Sequence, residues 1–188
     1  MQTKADIPVT LLDDDAPAFI RAWFEIVQLK QLYRQGWLKR GISTADCETV
    51  AEHTFGNAML CLLLARDYPA LQLEKVLRLA LVHDIGEAYV GDITPHDRVE
   101  KSEKTRLETE AVERILGKLP NGASLIADWH EYEAGETAEA RFVKQVDRLE
   151  LALQASVYGR QGKVDSSEFL DAAEAFVQAD GLKEIIAQ

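Results

Sequence analysis

Two histidines and two aspartates stand where packing calls for apolar side chains, and their types are those of a metal-ligand set. His83-Asp84 interrupts the largely apolar run Leu77 to Val82, where a helix should lie deep in the protein. Alone, that pair reads equally as a hydrogen-bonded core histidine beside a helix-terminal aspartate or as half of a metal site. Asp147 has Val143 and Leu151 one turn away on either side, so its carboxylate leaves the apolar face of a long helix. In isolation a salt bridge to a core-facing Arg or Lys is the simpler account of it. His53, three residues after Val50 and three before Gly56, reads alone as a satisfied helix histidine, with the bare Gly56 leaving room for another group to approach. The combination changes the reading, because an unpaired buried charge costs several kcal/mol and these four residues come from three helices. Two imidazoles and two carboxylates suit Mn²⁺, Fe²⁺, Co²⁺, Ni²⁺, Zn²⁺ or Mg²⁺. Four protein ligands also leave positions for water and substrate, as in a catalytic site. The other two of the four histidines, His96 and His130, sit in polar surroundings and read as surface residues.

Glu87 follows His83 by four residues, which on a continuous helix puts its carboxylate on the same face, within reach of a water or substrate oxygen. Asp92 follows one loop later. Locally, Glu87 reads as well as an exposed helix-end carboxylate and Asp92 as a turn residue after Gly91; their nearness to His83 raises them to candidates for catalysis. Glu52, Glu108 and Glu110 are further carboxylates able to recruit a second ion.

Helices must position these groups. Periodic apolar residues predict helices from Pro17 to about Tyr33, Thr49 to Asp67, Leu73 to about Ala88, Glu100 to Leu119, Ser124 to Glu133, Thr137 to about Tyr158, Phe169 to Val177 and Leu182 to Ile186. In the second of them Val50, Phe55, Met59, Leu62, Leu63 and Leu64 form the expected apolar side. Residues 34–46, which carry Trp37, read as a surface loop. No strand-length alternation and no repeat is found, so the fold class is all-α. Residues 1–16 read as an N-terminal arm, 17–160 as the domain that carries these groups and 161–188 as a C-terminal helical extension packed on it.

The 188 residues carry 21 Lys+Arg against 32 Asp+Glu, a net charge of −11, which disfavours nucleic acid as a partner. No apolar run approaches a membrane span, and the start lacks a signal-peptide core. Cys47 and Cys61 are too few for a disulfide framework or a thiolate zinc site. A reducing cytoplasm is the expected compartment.

In this arrangement the sequence resembles the HD-domain phosphohydrolases, whose signature is a histidine, a histidine-aspartate doublet and a distant aspartate. Within them it is similar to the 5′-deoxynucleotidase branch, through Leu29-Lys30, Arg34-Gln35-Gly36-Trp37, Val50-Ala51-Glu52-His53, Leu81-Val82-His83-Asp84-Ile85-Gly86-Glu87, Val90-Gly91-Asp92-Ile93 and Phe142-Val143-Lys144-Gln145-Val146-Asp147. The resemblance implies an all-α homodimer that uses a divalent metal ion to remove the 5′-phosphate of deoxyribonucleoside monophosphates. It implies His53, His83, Asp84 and Asp147 as metal ligands, and Glu87 and Asp92 as catalytic or substrate-contacting residues. Arg34 matches the phosphate-side arginine, and Trp37 the aromatic that crowds the sugar and disfavours a 2′-hydroxyl. Gln35-Gly36 separate these two residues, as in the eukaryotic relatives.

Glu87 is the candidate to orient or deprotonate water, Asp92 to protonate the leaving oxygen or fix the sugar. Arg34, with Lys101 or Lys104, would offset phosphate charge. Two alternatives remain open. One is a phosphodiesterase or nucleoside triphosphate hydrolase, against which the interleaved charges from Arg98 to Lys118 weigh, since they read as a solvated face. The other is a non-catalytic helical module with a metal-free polar network.

Overall fold

The computed structural model describes residues 1–5, 8–13 and 15–186. Helices carry the fold: α1 (Ala18–Ile26), α2 (Gln35–Lys39), α3 (Val50–Leu64), α4 (Leu73–Val82), α5 (Glu87–Val90), α6 (Lys101–Leu116), α7 (Gly122–Ala134), α8 (Ala138–Arg160), α9 (Ser167–Phe176) and α10 (Asp180–Ile186). Otherwise the described residues hold short 3₁₀ turns and two isolated antiparallel bridges, Thr3 with Leu32 and Tyr33 with Thr49. The all-α expectation therefore stands.

Helices α3, α4 and α8 make the centre. Thr49 starts α3 with a reciprocal cap: its hydroxyl accepts from the Glu52 N–H, and the Glu52 carboxylate accepts from the Thr49 N–H. Thr137 starts α8 by accepting from the Ala140 N–H. Along α8, Phe142, Val143, Val146 and Leu149 pack on Val76, Leu79 and Ala80 of α4 and on Cys61 of α3. Each large apolar side chain so buried stabilises the fold by about 1.5–3 kcal/mol. Val177 and Leu182 enter the same cluster, which docks the C-terminal helices on α8. A second cluster joins Val82 and Ile85 to Val112, Ile115 and Leu116 of α6 and Trp129 of α7. A third gathers Tyr33, Trp37, Ile42, Cys47, Ala155 and Tyr158. Cys47 and Cys61 are free, buried thiols, and burial pushes both up to about 12. Among the described residues no helix is long and apolar enough to cross a membrane.

Four local expectations are corrected. The first helix stops at Ile26 and gives way to a tighter turn, Val27–Lys30, because Leu32 and Tyr33 are drawn alongside the start of α3, where Leu32 O accepts from Val50 N. The surface loop contains α2, whose first N–H, that of Gln35, is capped at 2.6 Å by the distant carboxylate of Asp92. The helix expected to reach Ala88 ends at Val82, with α5 restarting at Glu87. That break lies under α6, which passes so close that a Cβ on Gly86 would sit 3.0 Å from Glu108 Cβ and 3.1 Å from its backbone. Finally, the apolar side assigned to the second helix lies largely outward: Phe55, Met59, Leu62 and Leu63 of α3 are exposed. Val50, His53, Thr54, Asn57 and Cys61 are buried instead.

Candidate metal centre

His53 comes from the first turns of α3, His83 from the residue that ends α4, Asp84 from the following turn and Asp147 from the middle of α8. The structure brings them together: His53, His83 and Asp84 offer ligand atoms that all lie within 4.8 Å of one another. His53 Nε2 is 3.0 Å from Asp147 Oδ1 and 3.7 Å from Asp84 Oδ2, and His83 Nε2 is 3.0 Å from Asp84 Oδ2. Both imidazoles are held from behind. His83 Nδ1 is 2.8 Å from the carbonyl of Ala80, which can only accept, so the proton belongs on Nδ1 and Nε2 faces the centre. His53 Nδ1 is 2.5 Å from Glu150 Oε2 on α8.

Whether this set fits a cation is decided by which atoms lack partners. His83 Nε2, Asp84 Oδ2 and Glu87 Oε2 are buried without a hydrogen-bond partner, although an unpaired buried polar atom costs about 1–3 kcal/mol. His83 Nε2 and Asp84 Oδ2 approach to 3.0 Å without a hydrogen bond between them, and with His53 they form a close group of ligand atoms. Two imidazoles and one carboxylate so grouped, with the Asp147 carboxylate against His53, are a donor set that fits a divalent ion. Electrostatics agree with that fit. Burial and Arg34 oppose a charge on His53, yet Asp147 and Glu150 outweigh them and push it up to about 10. Asp84, despite burial, is held down at about 2 by His83 and His53, and Asp147 is lowered in the same sense by His53. Protons and a metal ion would compete for these nitrogens, so ion binding releases protons.

Around this centre, Glu87 begins α5 and is 5% exposed. Burial, then Asp84 and Asp92, push its carboxyl well above the usual range. Since α4 has already ended, Glu87 reaches the site through the break at Gly86 and not along a continuous helical face. Asp92 has both oxygens engaged: Oδ1 accepts from Arg34 Nη1 at 3.1 Å and Oδ2 from Gln35 N at 2.6 Å. Arg34 is raised against the effect of burial by Asp92, Glu87, Asp84 and Asp147, which places its charge among all four. Lys104 reaches Ile93 O and Glu108, and its charge is coupled to Glu87, Asp84 and Asp92. Lys101 is exposed at the start of α6.

Trp37 is not brought to an open sugar face. It is 2% exposed, its ring lies against Tyr158 and Phe169, and its N–H donates to Glu48 Oε1 at 2.7 Å. Glu52 is occupied by the α3 cap, and Glu110 pairs with Arg106 on the surface. Glu108 lies buried against Gly86, where burial pushes its carboxyl up to about 7.

Two carboxylates near the centre were missed by sequence reasoning. Glu150 carried a signal, three residues after Asp147 and so on the same face of α8. Glu48, pushed up to about 7 by burial and by Glu150, ends a loop and carried none.

The HD domain family profile matches residues 26–185. The chain is 42% identical over 133 residues to 5′-deoxynucleotidase HDDC2 of Homo sapiens, covering 70% of this chain and 63% of the human one. It thus spans less than two thirds of that relative. To 5′-deoxynucleotidase HDDC2 of Dictyostelium discoideum it is 38% identical over 157 residues, 77% of this chain and 82% of the other. Its fold is similar to that of a Magnetospirillum magnetotacticum protein described as a predicted metal-dependent phosphohydrolase. That match has a TM-score of 0.69 and 32% identity, over 90% of each chain. The chain belongs to the HD-domain family, on the branch whose curated members are named 5′-deoxynucleotidases.

Proposed function

We propose that the chain is a metal-dependent phosphomonoesterase that hydrolyses the 5′-phosphate of deoxyribonucleoside monophosphates to deoxynucleoside and phosphate. The observation that carries this reading is the grouping of His53, His83 and Asp84 ligand atoms within 4.8 Å, with Asp147 Oδ1 3.0 Å from His53 Nε2 and the Arg34 charge acting on Asp84 and Asp147. The relatives' name supports the substrate class. In this reading those four residues hold one divalent ion, drawn from Mn²⁺, Co²⁺, Mg²⁺, Fe²⁺, Ni²⁺ and Zn²⁺. The ion supplies positive charge that favours the phosphoryl transition state and the ionisation of water near neutral pH.

The protein's own groups do the rest. Arg34 neutralises the phosphate, and Asp92 fixes the guanidinium with one oxygen and the start of α2 with the other. Glu87, in the ionised form that Arg34 and Lys104 favour against burial and that a bound cation would favour further, accepts a proton from the attacking water on its unpartnered Oε2. As the water oxygen bonds to phosphorus, the bond to the 5′-oxygen breaks on the opposite side, and the departing alkoxide takes a proton from solvent. Asp92 is assigned the positioning role rather than that transfer, because Oδ1 and Oδ2 already accept from Arg34 and Gln35. Trp37 contributes by anchoring α2 through Glu48, Tyr158 and Phe169, so its ring is not assigned the exclusion of a 2′-hydroxyl.

The deciding measurement is hydrolysis by metal-stripped protein reloaded with Mn²⁺, Co²⁺ or Mg²⁺, read as phosphate from dNMPs and NMPs, as phosphate, pyrophosphate or triphosphate from dNTPs, and as p-nitrophenolate from bis(p-nitrophenyl) phosphate. Release from dNMPs above the matching NMPs is expected. Equal turnover keeps the phosphomonoesterase and removes the sugar preference, whereas release only from dNTPs or the diester overturns the reading. Glu87→Gln should keep its metal and lose about 10²–10⁴ in turnover; unchanged turnover removes Glu87 from the mechanism. The proposed assembly is a homodimer in a reducing cytoplasm, with the outward stripe Phe55, Met59, Leu62 and Leu63 as the surface free for pairing. Light scattering should give twice the chain mass, and Leu63→Glu should halve it.

A further inference from the structure

The ring of His53 is gripped at both nitrogens by one helix. Nε2 faces Asp147 Oδ1 at 3.0 Å and Nδ1 faces Glu150 Oε2 at 2.5 Å, so two carboxylates one turn apart on α8 straddle the imidazole. Glu150 is 7% exposed. It reaches His53 only because α3 is bare three residues beyond the histidine: a Cβ on Gly56 would lie 2.6 Å from Glu150 Oε1 and 3.3 Å from Cγ and Cδ. On the far side of this contact a polar pocket of about 400 Å³ is lined by Glu48, Glu52, Gly56, Glu150 and Gln154, among others.

We propose that Glu150 is the positioning residue of the metal centre, holding the His53 ring so that Nε2 meets the ion, with Gly56 the notch in α3 that admits it. The inference rests on the metal-centre reading above. Its chemistry is that of an acceptor on the far nitrogen of a ligating imidazole: the hydrogen bond keeps the proton on Nδ1, orients the ring and raises the basicity of the ligating nitrogen. Glu150 itself does not touch the ion. A second cation among Glu48, Glu150 and His53 is the competing use of this cluster. It would require lone pairs on both ring nitrogens at once, which a neutral imidazole does not have.

The test is Mn²⁺ binding to the metal-stripped full chain by calorimetry, alongside thermal melting. Glu150→Ala should weaken Mn²⁺ binding by about 10–100-fold, and Glu150→Gln, which still accepts from Nδ1, by less. Gly56→Ala should weaken binding without lowering the melting temperature. Alanine suits a helix interior better than glycine, and the displaced Glu150 carboxylate has the pocket to move into. If Gly56 acts through Glu150, the double variant Gly56→Ala/Glu150→Ala should bind no more weakly than Glu150→Ala; a purely structural effect would add. Wild-type binding matched within about two-fold by Glu150→Ala overturns this inference and leaves the metal centre standing. Additive losses in the double variant overturn the role of Gly56. A wild-type chain that binds no divalent ion overturns the metal centre, and this inference with it.

Discussion

Helices α3 and α8 both reach the metal centre, yet they bury opposite kinds of surface. The inner face of α8 is apolar, with Phe142, Val143, Val146 and Leu149 in the core, and the chemistry is confined to Asp147 and Glu150 at its side. On α3 the inner face is His53, Thr54 and Asn57 with Val50 and Cys61, while Phe55 at 67% and Leu63 at 57% exposure face outward. One helix carries a site on a hydrophobic scaffold. The other gives its buried face to the site and depends on its caps and neighbours for position. Hydrophobic periodicity therefore locates the core on α8 and misplaces it on α3.

That contrast can be broken or sharpened by substitution. The largest effect is expected from Asp147→Asn, which keeps the shape of α8 and removes the ligand charge: metal-dependent phosphate release should fall by about 10³-fold, roughly 4 kcal/mol of barrier. Retention of a tenth of the activity would remove Asp147 from the ligand set. Next, Leu149→Ala on α8 should cost about 2–5 kcal/mol in urea unfolding. Phe55→Ala on α3, measured in dilute solution, should change stability by no more than about 0.5 kcal/mol. Equal costs would mean that the outward stripe is packed after all. Thr49→Ala, which removes the α3 cap, should cost about 1 kcal/mol.

A pH-dependent effect concerns α6. Burial raises Glu108 from 4.5 to about 7, so the folded chain holds more protons than the unfolded one between those values and loses stability as pH rises through them. Glu108→Gln should melt about 2–4 °C higher than wild type at pH 8, roughly 1 kcal/mol for a chain of this size, with the difference closing by pH 4. A constant difference across pH would place the effect in packing.

Much of this was legible in the sequence, and the reasons divide along the same line. His53, His83, Asp84 and Asp147 were readable because polar residues inside apolar runs are costly enough to need a cause. The room beside Gly56 was readable from the absence of a side chain, and Glu150 is what occupies it. Glu52 could have been removed from the metal candidates, since Thr49 three residues earlier completes a capping pattern. The remainder depended on contacts far apart in sequence. α2 forms where Asp92, 57 residues away, caps Gln35, and α4 ends where α6 crosses Gly86. The inverted face of α3 followed from what α4 and α8 bring to it, and no local period encodes that.

Cys61 lies on the inner face of α3, eight residues beyond His53, with its thiol on Asn57 Oδ1 at 3.5 Å and fully buried. Raised to about 12, it is almost entirely protonated at neutral pH, and the thiolate is the form that attacks labelling reagents. Modification of Cys61 therefore has to wait for α3 to part from α8, and its rate is a clock for that opening. Because an ion that binds only the closed form slows the clock in proportion to its affinity, a single native thiol converts metal occupancy into a labelling rate.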